Sequence, residues 1–324
     1  MAELKNEFSW SKSRARIFEE CHRRYWFHYY GSWGGWDVDR VSQQTREIYI
    51  LKQLKTRWMW AGELVHWGVE LALKDLKGAE DPNRVALDRQ RIEERVLVEM
   101  RKDFVRSRNG SYRLDPKIGG LFEHEYKLKL TDEEWQEVKK HIMTCLENFF
   151  DSKILEKLKQ LPQDYWLPIE KVSSFDFEGI KVYVKPDVLH RMEEGGVQII
   201  DWKTGREDRK ESASSGFQLP TYLLYVIEKG WGKPDNVRAM EVNLSTGTIR
   251  EEDFDPDNIE RIKEEIRGNV GEMKRILVDP ERNLARKKDF PVVTDPKVCR
   301  YCNFQKVCED RPREEEIQTI DDRP

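Results

Sequence analysis

The sequence predicts a mixed α/β chain in which a run of helices precedes a central sheet. Two observations predict it. Apolar residues recur at helical spacing through roughly the first 160 positions, and short apolar runs bounded by Gly-containing turns take over from about residue 165. A further helical stretch then separates the later strands from the earlier ones, which makes the core α/β with a helical insertion ahead of its sheet.

Taken in order, residues 9–30 read as one helix, with Ser9 or Ser11 as N-cap and Phe18, Cys21, Tyr25 and Tyr29 on one face. The Gly- and Trp-containing stretch 31–36 ends it. Helical runs follow at about 43–58, 61–77, 88–107 and 131–160, the last two rich in charge pairs at i,i+4 spacing. Three β-like runs cover 166–175, 180–189 and 197–202, separated by Phe-Glu-Gly and Glu-Glu-Gly-Gly turns. A helix at about 213–229, strands at 237–244 and 247–252 and a helix at about 257–277 complete the pattern. No internal repeat or low-complexity tract interrupts it. This order divides the chain into N-terminal helices (1–75), a helical insertion (76–164), a sheet core (165–278) and a cysteine-bearing C-terminal segment with an acidic tail (279–324).

Composition narrows the class. The 324 residues suffice for two average domains, or for one α/β domain with a large insertion. With 38% apolar residues the chain can bury a core, and 36% charged residues give it a heavily solvated surface. The 57 Lys+Arg against 61 Asp+Glu leave a net charge of -4, which argues against a basic coat but not against a local groove. Basic residues do cluster, at Arg14, Arg16, Arg23 and Arg24 and again at Arg286, Lys287 and Lys288, while Glu314 to Glu316, Asp321 and Asp322 make the tail acidic. No window approaches the roughly 20 apolar residues of a membrane helix. The opening MAELKNEFSWSKSR has no apolar signal region, so the expected location is cytoplasmic, with no membrane partner.

The chemistry-bearing residues concentrate in the second half. Pro186-Asp187 is followed, fourteen residues after Asp187, by Asp201-Trp202-Lys203. Alternation along a strand puts Asp201 and Lys203 on one face, and a hairpin of this length can bring Asp187 opposite them. Two carboxylates can hold a divalent cation that polarises a phosphate and acidifies its bound water, and a lysine can orient that water and offset developing charge. Alone, a D-x-K pair is more often a cross-strand salt bridge. Gly62-Glu-Leu-Val-His66 adds a candidate imidazole ligand on a helix, although a lone histidine beside an apolar stripe is more often packed. Gln218-Leu-Pro-Thr-Tyr222 sets an amide and a phenol one helical turn apart, and Glu170 is placed on the first strand, where it reads more often as a surface glutamate.

Cys299, Cys302 and Cys308 form C-x2-C-x5-C, too close for three independent core cysteines, and Cys21 stands near the other terminus. Together they would complete a four-thiolate shell for zinc or an iron–sulfur cluster, and spacing leaves the choice open. Cys145, inside a helical pattern, reads as an ordinary small apolar residue.

His66, Pro186-Asp187, Asp201-Trp202-Lys203 and Gln218-x3-Tyr222, in this order, resemble the PD-(D/E)XK nuclease superfamily. The closer resemblance is to its RecB-like iron–sulfur branch, which includes the AddB nuclease domain, exonuclease V and the CRISPR-associated RecB-family exonucleases. There one cysteine precedes the nuclease motifs and three follow as C-x2-C-x5-C, as Cys21 and the late cysteines do. The run from Ser11-Lys12-Ser13 to Cys21-His22-Arg23-Arg24-Tyr25-Trp26-Phe27 also looks like the branch's first helix. The resemblance covers roughly residues 8–75 and 165–310.

That resemblance implies a restriction-endonuclease-like core: a central mixed sheet flanked by helices, a helical insertion, and an iron–sulfur clasp joining the termini. It implies His66, Asp187 and Asp201 as ligands of Mg2+ or Mn2+, with the Trp202 carbonyl joining them, and Lys203 positioning or activating the water. Gln218 and Tyr222 would hold the substrate backbone, Glu170 would be an auxiliary acid, and Cys21, Cys299, Cys302 and Cys308 would ligate a 4Fe–4S cluster. The expected function is a metal-dependent DNA exonuclease on single strands or ends, in repair, recombination or CRISPR adaptation. No Walker A motif is present, so a helicase would be a separate partner. The 103 residues of 67–169, a longer span than in compact members, would form an arch or contact a partner. Tyr25, Trp26, Trp33, Trp36, Trp58 and Trp60, with Arg23, Arg24 and Arg57, could stack bases and follow phosphates. The alternatives are a catalytically inactive iron–sulfur nucleic-acid-binding subunit, against which the intact acidic pair and lysine argue, and a zinc-stapled scaffold.

Overall fold

The computed structural model describes residues 5–37, 39–78, 87–115, 118–205 and 217–311. The acidic tail and the first residues of the helix expected from 213 lie outside the described residues. In chain order the strands are β1 (Ser9–Trp10), β2 (Ser173–Phe177), β3 (Ile180–Val184), β4 (Val188–Arg191), β5 (Val197–Lys203), β6 (Val237–Asn243) and β7 (Thr248–Asp253). The first helices are α1 (Lys12–Glu20), α2 (His22–Trp26), α3 (Gln43–Lys52), α4 (Arg57–Lys77) and α5 (Arg89–Arg108). They are followed by α6 (Phe122–Glu125), α7 (Asp132–Phe150), α8 (Lys153–Lys159), α9 (Gln218–Glu228), α10 (Pro256–Arg275) and α11 (Pro296–Arg300). None of the described helices is long and apolar enough to cross a membrane. The chain divides into two compact units, one from Arg57–Asp103 and Lys129–Glu265, the other from Met1–Thr56, Phe104–Leu128 and Ile266–Pro324.

The first unit holds a four-stranded mixed sheet in the order β4-β5-β6-β7. β5 is antiparallel to β4 and parallel to β6, and β7 returns antiparallel to β6. β5 is buried at every position but Lys203, with Gln198 and Asp201 buried beside its four apolar residues. Helix α9 lies between β5 and β6 in sequence, as a parallel pair requires, and packs against β5 and against the β2–β3 hairpin. That hairpin turns at Glu178 and Gly179, with φ of +51° and +77°, the left-handed pair that suits a two-residue hairpin loop. Helix α4 packs along α7, and Gly68 permits the approach: a Cβ there would lie 2.9 Å from Leu146 and 3.0 Å from Val96.

Local details differ from the sequence reading. The run expected at 166–175 becomes a strand only from Ser173, so Glu170 is not on a strand. The run at 180–189 is split by Lys185-Pro186-Asp187, because proline has no N–H for a ladder; β3 stays in the hairpin and β4 begins the main sheet. Asp187 therefore precedes a strand rather than ending one. The helix expected at 131–160 breaks at Asp151, after which the Ser152 side chain accepts the Leu155 N–H and starts α8.

In the second unit the single helix expected at 9–30 is interrupted at Cys21. Ser11 caps α1, but Cys21 adopts an extended backbone and its Sγ accepts the Arg24 N–H at 3.4 Å, capping α2 instead. A π-helical turn, Phe27–Gly31, then ends the run; a Cβ at Gly31 would come within 2.5 Å of the Trp26 ring. The unit's core gathers Phe27, Ile48, Leu51, Leu54, Tyr112 and Phe304, with Cys302 and Cys308 packed against it. Sequence ends are tied here: the Arg23 guanidinium donates to the Phe290 carbonyl at 2.8 Å and the Asn303 amide to that of Leu54 at 2.8 Å. Tyr25 and Arg23 are buried, and so is Trp60 of the other unit, whose indole donates to Asp103; these three are core rather than exposed stacking groups.

Candidate active site

His66 sits four residues beyond Gly62 on α4, on the same helical face. Gly62 sets the helix close to the end of β5, where a Cβ would come within 2.9 Å of the Thr204 hydroxyl. The β4–β5 register pairs Val188 with Ile200, so the next pair along carries Asp187 to Asp201. Period-two alternation puts Asp201 and Lys203 on one face, and Lys203 Nζ reaches Asp201 Oδ2 at 2.6 Å.

Glu170 arrives from a different direction. Its backbone has φ +46°, a left-handed conformation costing a non-glycine residue on the order of 1 kcal/mol, and its N–H donates to the Asp187 carbonyl at 3.0 Å. The side chain is buried; Oε1 lies 3.0 Å from His66 Nδ1 and Oε2 2.6 Å from Lys185 Nζ. Asp187 is buried too, with Oδ2 accepting the Trp202 backbone N–H at 2.7 Å and Oδ1 3.4 Å from His66 Nδ1. His66, Glu170 and Asp187 each offer a ligand atom within 4.8 Å of the others, and no other His, Cys, Asp and Glu set among the described residues does so.

Each expected residue can now be placed. His66 and Asp187 come together, and Glu170 joins them within the same 4.8 Å group. Asp201 is engaged by Lys203 and by the Gln218 amide, which donates to Oδ1 at 3.0 Å. Trp202 contributes its N–H to Asp187. Gln218 also accepts from Lys203 at 2.9 Å and donates to the Tyr222 hydroxyl at 2.8 Å, and Tyr222 in turn donates to the Lys185 carbonyl at 3.0 Å. Gln218 and Tyr222 thus face the acidic pair and lysine. Lys185 and Glu241, 3.7 Å from Lys203, were not anticipated. Glu241 has no local signature, since its place follows from the parallel register opposite Asp201. Glu63 and Glu70 were also missed, although they lie three residues before and four after His66, the spacing of one helical face.

Burial and neighbouring charges set the protonation of the site. Burial, then the charge of Asp201, pushes the Asp187 carboxyl up to about 7. Burial alone would lower His66, but the Asp187 and Glu170 carboxylates raise it to about 10. Burial opposes ionisation of Glu170 as well, yet His66 and Lys185 hold it below its ordinary range. Lys203 is raised, burial being outweighed by Asp201. A cluster that pulls protons onto both an imidazole and a carboxyl is one that a divalent cation would satisfy, so the donor set fits Mg2+ or Mn2+. The set opens into a cleft of about 610 Å³, lined also by Trp58, Met59, Trp67 and Thr204.

Four cysteines share the other unit. Burial pushes the Cys302 thiol up to about 12, with the charges of Cys21 and Cys308 adding to the rise, and the thiols of Cys299 and Cys308 are also raised by burial and by Cys21. Each of the three late thiols therefore feels the charge of Cys21. Cys145 is buried in the first unit, apart from this group, as a small apolar residue.

Buried carboxylates and an imidazole at the end of a mixed sheet, with a lysine two residues beyond one of the acids, define a site for divalent-cation phosphate chemistry. Comparison with protein families matches residues 9–309 to the PD-(D/E)XK nuclease superfamily, and the chain belongs to that superfamily. Its members generally use Mg2+ or Mn2+, so membership implies metal-dependent phosphodiester hydrolysis in general. A search of curated proteins finds no match. Among solved structures, the crystal structure of SSO0001 is similar at 15% identity, over 59% of this chain and 80% of that one, with a TM-score of 0.31.

Proposed function

We propose that this protein is a DNA exonuclease acting on single strands or DNA ends, in repair, recombination or CRISPR adaptation, with any helicase supplied by a separate partner. The observation that carries the reading is the His66, Glu170 and Asp187 set, open to a cleft and backed by Asp201 and Lys203. His66, Asp187 and Glu170 hold the divalent cation, which when bound supplies Lewis acidity and a more acidic water. Lys203, protonated and anchored on Asp201 and Gln218, orients the attacking water and offsets charge growing on the phosphate. Gln218 and Tyr222 keep Asp201, Lys203 and the Lys185 segment in register, so they act on substrate through those residues.

Cys21, Cys299, Cys302 and Cys308 hold a 4Fe–4S cluster that staples distant parts of the sequence, its role being structural.

The test is digestion of end-labelled single-stranded DNA with Mn2+ or Mg2+, after anaerobic purification, comparing wild type with Lys203→Ala. Cleavage by wild type alone supports the reading, and the ladder of products gives the polarity. Silence from both, in brown and folded protein, would favour the inactive binding subunit. Cys302→Ala is expected to bleach the protein and lower its stability; unchanged colour and stability would refute the four-cysteine clasp.

A further inference from the structure

The cleft presents an electrostatic difficulty. Its lining carries Glu63, Glu70, Glu170 and Asp187, and a phosphodiester approaching them is repelled. Among the described residues of that lining, the single Lys or Arg is Lys185. Its side chain is 52% exposed, against 36% for Lys203, and its ammonium rests 2.6 Å from Glu170 Oε2. The other oxygen of that carboxylate is the one that lies against His66. Glu170 is therefore shared between the candidate metal set and the Lys185 ammonium at the cleft.

The backbone of Lys185 is held while its side chain reaches outward. Its carbonyl accepts the Tyr222 hydroxyl at 3.0 Å, and Pro186 fixes the next φ. Swinging the ammonium from Glu170 to a nearby oxygen needs only side-chain rotation, with no movement of the sheet.

We propose that Lys185 is a phosphate-gripping residue whose availability is controlled by the metal. Glu170 pairs with it here and would release it on turning to a bound cation beside His66 and Asp187. Metal and nucleic acid then bind with positive coupling, each relieving a cost of the other, and by linkage the coupling is reciprocal. This rests on the nuclease reading and adds a residue that the nuclease motifs do not contain.

The coupling gives opposite signs for two measurements, whereas damage to the fold would weaken both. In the full chain carrying Lys203→Ala, to suppress cleavage, Mn2+ affinity is measured by calorimetry. Affinity for a fluorescein-labelled single-stranded oligonucleotide is measured by anisotropy with and without Mn2+. Adding Lys185→Ala is expected to tighten Mn2+ several-fold, because Glu170 loses its competing partner. Oligonucleotide binding should weaken about tenfold in Mn2+, the scale of one charge-assisted contact, and the salt slope should fall by about 0.7. Without Mn2+ the oligonucleotide affinity should change less than twofold. Lys185→Arg should keep the oligonucleotide affinity. Weakening of both ligands together, or unchanged oligonucleotide binding in Mn2+, would overturn this inference and leave the nuclease reading standing. Failure of the parent to bind Mn2+ at all would overturn both.

Discussion

Asp187→Asn is expected to stabilise the metal-free protein while destroying its response to metal. The carboxyl is buried and forced from 3.8 to about 7 by desolvation and by Asp201, so at neutral pH its charge costs about 4 kcal/mol, at about 1.4 kcal/mol per unit. An amide keeps the acceptor for the Trp202 N–H, and the value of about 7 already contains the attraction of His66; relaxation of the buried site roughly halves the cost, which leaves a net gain of about 2 kcal/mol. The sign follows from linkage. A carboxyl whose folded value is raised contributes stability below its unfolded value that is lost as pH climbs through the folded value, here between about 4 and 7. The advantage of the variant should therefore be about 2 kcal/mol at pH 7.5 and less than about 1 kcal/mol at pH 5. The assay is urea unfolding at both pH values, in chelator and then in saturating Mn2+. Wild type should gain about 3 kcal/mol from metal at a hundredfold excess over Kd, and the variant should gain nothing. A variant less stable than wild type in chelator, or one that keeps the metal response, would refute the reasoning.

The remaining predictions concern separate parts of the molecule. Gln218→Ala removes the amide that joins Asp201, Lys203 and Tyr222, so kcat should fall roughly 100-fold at nearly unchanged stability; a full-rate variant would show that the amide positions nothing. Glu125, buried and bonded to Tyr112, Arg113 and Lys306, is held below its ordinary range because these partners outweigh its burial. A lowered carboxyl stabilises above its unfolded value, so Glu125→Gln should cost about 3 kcal/mol at pH 7 and progressively less as pH falls below about 4, read by urea midpoints across pH. Gly68→Val would press methyls into Leu146 and Val96 between α4 and α7, with an expected loss of about 2 kcal/mol measurable by calorimetry.

Much of the candidate site could be read from spacing within single elements. Asp201 and Lys203 share a face because strand side chains alternate, and Gly62 with His66, like Gln218 with Tyr222, share one because a helix turns every 3.6 residues. Such relations need only local backbone geometry, which short stretches of sequence encode. Cys299 and Cys302 stand in the same position, since three residues of chain keep them close whatever surrounds them. The strands were legible as short apolar runs between Gly-containing turns, whereas the mixed order of the sheet came from the family resemblance and not from any strand's own pattern.

Tertiary structure decided the partners that distance in sequence conceals. Glu170 meets His66 across 104 residues and reaches it through a left-handed backbone that no periodicity signals. Asp201 is met by the Gln218 amide and the Lys203 ammonium, contacts that exist only once α9 packs on β5. Lys185 becomes the cleft's cation because Pro186 ends one strand beside it and Tyr222 holds its carbonyl. Cys21 interrupts a helix that its sequence would continue, because its backbone is extended and its sulfur caps α2. Residue spacing carries chemistry along one element; burial and long-range contact decide which of those groups confront each other.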